Sequence, residues 1–189
     1  MNYLAHVFLA GENPEIITGN FIADHVKGSA INAYSDGIKE GIFHHRAIDT
    51  YTDQHKSIKE SIVLIKPEMG RYTPVAIDMY YDHFLARQWE SFSSINRLQF
   101  THIIYAALSP FYEKFPTFSQ RTYDYMTSKN WLYNYADLDF LERCFQGLDR
   151  RASFDTHLTE AVSVLKKHYS QLESNFMGFM PDVILHCKR

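Results

Sequence analysis

HHRAIDTYTD, residues 44–53, is the stretch on which the reading of this chain turns. On an α-helix, positions four apart share a face, so His45, Asp49 and Asp53 fall one above another as a ligand-bearing ridge. A second stretch, IDMYYDH at residues 77–83, sets Asp78 and Asp82 one turn apart with His83 beside Asp82. Two such ridges meeting inside a helical bundle form a site for a divalent metal. Asp and His offer oxygen and nitrogen without thiolate, a donor set suited to Mn²⁺, Mg²⁺ or Fe²⁺, and to Zn²⁺ in a catalytic setting.

Acids gathered without a cation repel one another and lose hydration, whereas a metal neutralises them. The competing reading of the first ridge is a solvated polar face on which Arg46 or Lys56 pairs with the acids. For the second ridge it is a helix start where Asp78 complements the macrodipole and Asp82 pairs with Arg87. Two acids and a histidine among Ile77, Tyr81, Phe84 and Leu85 fit an inward-facing site better, because a buried charge needs a partner. His6, set among Leu4, Val7, Phe8 and Leu9, is either a further ligand or a core histidine. Asp24 precedes His25, Val26, Lys27 and Gly28, which puts an acid beside a turn and near a cation. Lys27, Arg46, Arg71 and Arg87 are the local cations available to an anionic substrate, Lys27 and Arg46 foremost because they flank candidate ligands.

Working outward, Asn13 followed by Pro14 predicts a helix cap and first turn, with the helix running to Gly28. A second helix starts near Ser35 and carries Ile38, Ile42, His45, Ile48 and Asp49. Thr73 and Pro74 open another that carries Ile77, Tyr81, Phe84, Leu85 and Trp89. Further helical periodicity covers residues 94–108, 118–133, 138–148 and 154–176, with SPFYEKFPT and SNFMGFMP as breaks. Alternating strand patterns and hairpin turns are missing, so the chain is read as all-α.

With 189 residues, 46% of them hydrophobic, the sequence suits one domain spanning 1–189. A formal charge of -3 gives no global attraction to nucleic acid or an anionic membrane, and neither is expected as a partner. Cys144 and Cys187 are the only cysteines; with no Cys-x-x-Cys they are read as reduced thiols. MNYLAHVFLA lacks the basic leader and length of a secretory signal and no later run suits a membrane span, so a cytoplasmic protein is expected. The many Tyr and Phe residues exceed what a small core needs, which predicts some rings on a groove or partner surface.

MNYLAHVFLA, GNFIADHVKG, HHRAIDTYTDQH and YYDHFLARQW, with WLYNY and GLDRR farther on, closely resemble the bacterial acyl carrier protein phosphodiesterase family, also called holo-ACP phosphodiesterase. The likeness covers most of residues 1–151 and rests on several ordered motifs. It implies a helical bundle related to the HD phosphohydrolases. It also implies Mn²⁺-dependent cleavage of the phosphodiester between 4′-phosphopantetheine and a serine of holo-acyl carrier protein.

The family's metal arrangement carries over to Asp24, His45, Asp49, Asp82 and His83, while His6 and Asp53 match the amino-terminal and TD motif positions. Asp49 or Asp53 is then the acceptor for a water proton, and Lys27 or Arg46 opposes transition-state charge. The chain departs from the pattern at Lys56, where many relatives are expected to have proline; no metal ligand is lost by it. Two other readings keep their place: an HD-type phosphohydrolase of nucleotides or small phosphoesters, and a metal-stabilised helical interaction protein without catalysis.

Overall fold

Asn13 caps the first predicted helix start: in this computed structural model its side chain accepts the backbone N–H of Glu15 at 2.9 Å, and Pro14 opens the helix. The structure describes residues 1–152 and 156–188. In chain order the helices are α1 (Tyr3–Leu9), α2 (Pro14–Ile22), α3 (Asp36–Gln54), α4 (Lys56–Met69), α5 (Thr73–Arg87) and α6 (Arg97–Leu108). They continue with α7 (Thr117–Ser128), α8 (Trp131–Asn134), α9 (Leu138–Asp149), α10 (Ala161–Lys167) and α11 (Tyr169–Cys187). No strand occurs among the described residues, and the all-α expectation is borne out. None of these helices is long and apolar enough to cross a membrane.

The chain divides into two compact units, neither continuous in sequence. The first comprises Tyr3–Thr50 and Trp89–Tyr133; the second comprises Met1–Asn2, Tyr51–Gln88 and Asn134–Arg189. In the first unit α2 packs on α1 and α6. Its core holds Leu4, Val7, Ile17, Ile22, Ile38, Ile42, Ile48 and Leu108, all buried. Phe21 meets the rings of Tyr3 and Phe115 at 5.6 and 5.3 Å between centroids. In the second unit α5 is buried almost all round, its Asp82 and His83 included, and packs on α4 and α11. Tyr81 meets Phe176 edge to face at 5.5 Å, and its hydroxyl is 2.9 Å from Ser61 Oγ.

Several boundaries differ from the periodicity. α2 stops at Ile22 rather than running to Gly28: Ala23–His25 form a 3₁₀ turn, Val26 is extended, and Gly28 sits at φ 55, a left-handed conformation that favours glycine. Trp89 leaves α5 because its indole N–H donates to the Ile95 carbonyl at 2.7 Å and its ring packs on Phe8 and Phe100. The periodic run 118–133 is broken at Asn130, with φ 45. α4, with Pro67 inside it, went unpredicted. SNFMGFMP is no break: α11 passes through Pro181 and buries Phe176, Phe179, Met180 and Val183 on one face. That burial outweighs one lost backbone hydrogen bond. The helix expected from Phe154 begins outside the described residues; from Ala161 onward it is α10 and α11, separated at His168.

Candidate metal centre

Ile38, Ile42, His45 and Ile48 recur at helical spacing on α3 and are all buried, so the same periodicity that builds the core turns His45 inward. Helices α2 and α3 cross with their backbones in contact at Gly19 and Gly41. A Cβ on Gly19 would run into the Ile38 carbonyl oxygen, and one on Gly41 into that of Ile16. This approach brings the Asn20 carbonyl to 3.0 Å from His45 Nδ1. A carbonyl can only accept, so Nδ1 carries the proton and Nε2 is aimed at the acids. Histidines that bind metals are commonly oriented in this way.

Four predicted residues come together here, all in the first unit. His45 Nε2 lies 3.1 Å from Asp49 Oδ2, one turn along α3, and 3.3 Å from Asp24 Oδ1 in the turn after α2. α1 delivers His6, whose Nε2 is 3.2 Å from Asp49 Oδ1 and whose ring stacks on that of His45 with centroids 3.8 Å apart. One donor atom each from His6, His45 and Asp49 lies within 4.8 Å of the others. Metal bonds of about 2.0–2.2 Å put neighbouring ligand atoms roughly 3–3.5 Å apart, the spacing seen here. The imidazoles are buried, with side chains 4% and 8% exposed, whereas Asp49 and Asp24 are 43% and 68% exposed. Nitrogen thus forms the floor and carboxylate the solvent side.

The donor set fits a divalent cation. Although buried, neither ring nitrogen of His6 makes a hydrogen bond; its approach to Asp49 is close but not aligned for one. An orphaned buried polar group costs about 1–3 kcal/mol, and coordination would satisfy it. Burial pushes the His6 imidazole down to about 4 despite Asp49. For His45 burial acts in the same direction, but the hydrogen bonds to Asp24 and Asp49 outweigh it and push the ring up to about 9. Burial raises the Asp49 carboxyl, yet His45 and His6 hold it well below the usual carboxylate range; Asp24 is lowered chiefly by His45. The pair of carboxylates recruits a positive charge, and without a metal a proton on His45 supplies it.

Asp53 is exposed on the last turn of α3. Asp82 and His83 are buried on α5 in the second unit. His83 donates from Nδ1 to the Tyr135 carbonyl at 2.8 Å, and its Nε2 faces the Tyr169 hydroxyl at 3.1 Å. Asp78 is taken by the Met1 ammonium at 2.8 Å. Among the cations, Lys27 and Arg87 are exposed, Arg71 lies over the Tyr72 ring at 5.1 Å, and Arg46 donates from Nη2 to the Val26 carbonyl at 3.0 Å. The sequence reading missed Asn20. Its signal was a buried amide inside the apolar run of α2, but the part that matters to His45 is a backbone oxygen, which no side-chain pattern announces.

The family model described as acyl carrier protein phosphodiesterase matches residues 1–183. A protein of that name from Enterobacter sp. (strain 638) is 34% identical over 190 residues, covering 100% of this chain and 98% of the relative. Proteins of the same name from Salmonella paratyphi A (strain ATCC 9150 / SARB42) and Salmonella newport (strain SL254) are 34% and 33% identical over 191 residues, with the same coverage. No solved structure matches. With likeness running along the whole chain rather than through one motif, this protein belongs to the acyl carrier protein phosphodiesterase family.

Proposed function

We propose that this chain hydrolyses the phosphodiester joining 4′-phosphopantetheine to a serine of acyl carrier protein, releasing apo carrier protein and free 4′-phosphopantetheine. The observation that carries this reading is full-length membership of a family named for that activity. The buried His6 and His45 with Asp24 and Asp49 provide the chemical means. We propose Mn²⁺ as the ion, held by these four residues, with Asp82 and His83 as further ligands on the strength of the sequence pattern. Bound there, a divalent cation supplies a water of lowered pKa and offsets charge on the phosphorus oxygens.

The protein's own groups divide the remaining work. The Asn20 carbonyl holds the His45 tautomer that presents Nε2. Asp49, its carboxyl held so low, is a poor base and better suited to be a ligand. Asp53, one turn farther along α3 and exposed, is the carboxylate proposed to take the water proton. The water oxygen bonds to phosphorus, the bond from phosphorus to the serine oxygen breaks, and the serine oxygen takes up a proton from solvent while Asp53 returns its own to solvent. Lys27 and Arg46 are the cations proposed to face the phosphoryl oxygens. A cytoplasmic setting accords with the free thiols of Cys144 and Cys187.

Incubation with holo carrier protein and Mn²⁺, followed by intact-mass and small-molecule analysis, tests the reading. The expected products are apo carrier protein and 4′-phosphopantetheine. Release of pantetheine with phosphate left on the carrier would place the cleavage at another bond and overturn it. Turnover of nucleotides but of no holo carrier would favour a small-molecule HD phosphohydrolase. Metal binding without hydrolysis of any phosphoester would favour an interaction protein.

A further inference from the structure

The turn that carries Asp24 has an unusual tether. Ala23–His25 form a single 3₁₀ turn closed by the Val26 N–H on the Ala23 carbonyl at 3.2 Å. Val26 is itself buried, and its carbonyl receives Nη2 of Arg46 at 3.0 Å from α3. Arg46 follows His45 directly and stands three residues before Asp49. Its guanidinium lies 5.8 Å from the centre of the Phe43 ring, one turn back on the exposed face of α3, a contact that limits its rotamers. One arginine therefore ties the Asp24 turn to the helix that supplies His45 and Asp49.

We propose that Arg46 is a positioning residue for the metal centre, acting through Asp24: its hydrogen bond to the Val26 carbonyl holds the 3₁₀ turn against α3, so that the Asp24 carboxylate reaches the ligand cluster. Asp24 needs such a tether. Its side chain is 68% exposed on a one-turn element that runs on from α2 and is held on its His25 side by Ser119 Oγ, 3.1 Å from Nδ1, and by the Phe118 ring; the Arg46 bond is the tether that joins it to α3, where Oδ1 stands 3.3 Å from His45 Nε2. Groups that orient metal ligands commonly contribute 10–100-fold to affinity. The inference rests on the metal-centre reading above. It also makes a prediction opposite in sign to that of a purely electrostatic role, because removing a nearby positive charge by itself favours a bound cation.

Mn²⁺ affinity of the full chain, measured by calorimetry without substrate, separates the two. Arg46→Met, which keeps an unbranched apolar stem but neither donor nor charge, is expected to weaken binding about 10-fold, and Arg46→Lys, which can still donate to a carbonyl, to recover part of it. In an Asp24→Ala background, Arg46→Met is expected to add no further loss, the non-additivity of two residues acting as a unit. Chelator-treated samples compared by thermal unfolding show whether each variant folds. Binding of Mn²⁺ by Arg46→Met as tight as wild type or tighter, or additive losses in the double variant, would overturn the assignment. No Mn²⁺ binding by the wild-type chain would overturn both it and the metal-centre reading.

Discussion

The imidazole of His6 lies face to face on that of His45, with ring centroids 3.8 Å apart and planes 15° from parallel. Both rings are buried, both Nε2 atoms approach Asp49, and only His45 has a hydrogen-bonded anchor behind it. Two imidazoles stacked this closely on one carboxylate are a poor arrangement for stability alone. The favourable pairing of His45 with the acids leaves His6 without a hydrogen bond.

His6→Leu should therefore separate binding from folding. Leucine fills a similar volume and removes the orphaned nitrogens, so the metal-free protein is expected to hold its Tm or gain a few degrees, about 1 kcal/mol. Mn²⁺ affinity should fall at least about 10-fold with the loss of a ligand. Thermal unfolding in chelator and calorimetric titration measure the two effects. A lowered metal-free Tm with unchanged affinity would make His6 a core histidine instead.

The metal-free protein should also show a stability maximum on the acid side of neutrality. His45 keeps its proton up to about 9 when folded against 6.5 unfolded, so its contribution is complete below pH 6.5 and is lost as pH rises to about 9. His6 works the other way: with its folded value down at about 4, stability falls as pH drops from 6.5 towards 4. Asp24 and Asp49, both lowered, lose their contribution as pH falls below 3.8. In chelator, Tm is expected to decline between pH 6.5 and 9. With saturating Mn²⁺ that decline should vanish, because metal replaces the proton and binds more tightly at higher pH. A flat metal-free profile across that window contradicts the ion-pair geometry at His45.

Gly41→Ala is expected to damage fold and site together. The added methyl meets the Ile16 carbonyl and the Gly19 backbone rather than a movable side chain. Overpacking of this kind costs about 1–3 kcal/mol, a fall in Tm of roughly 3–10 °C. Separating α2 from α3 also draws the Asn20 carbonyl away from His45, so Mn²⁺ affinity should drop as well. Gly147→Ala on α9 is the control, since its Cβ would meet only the Arg150 guanidinium at 3.9 Å; its Tm should be unchanged or higher. Equal, small effects at both glycines would rule out a tight crossing.

The contrast between these glycines marks what the sequence could reveal. Periodicity turned His45 and Asp49 to one face of α3 and required nothing about neighbours, so that ridge was legible. Asn13 and Pro14 announced α2 through local cap chemistry, which is also sequence-encoded. The Gly19–Gly41 crossing, the exit of Trp89 from α5 and the passage of α11 through Pro181 depend on what packs against them, and no window of sequence contains that. Asp24 was legible as an acid beside a turn; that Arg46 grips the same turn through a backbone oxygen was not, because its partner is a peptide group rather than a residue type. His6 is ambiguous between ligand and core in the sequence, because its stack on His45 and its approach to Asp49 come from another helix, α3, which no local pattern contains.

Asp82 offers the test of the second ridge. Ala76, Ile77 and every residue from Met79 to Ala86 of α5 are buried, so the Asp82 carboxylate is held away from water. A charge in that position must be compensated, and a metal ligand and a structural ion-pair partner respond differently to its removal. For a ligand, Asp82→Ala lowers metal stoichiometry or affinity and reduces release of 4′-phosphopantetheine by at least about 100-fold, while the metal-free Tm changes by only a few degrees. For a structural pair, loss of one partner costs about 3–5 kcal/mol and the metal-free protein itself unfolds early. We expect the first pattern, measured as Mn²⁺ content, product release and unfolding in chelator on the same preparation. Wild-type Mn²⁺ content and product release in Asp82→Ala would remove this residue from the centre and confine the ligand set to His6, Asp24, His45 and Asp49.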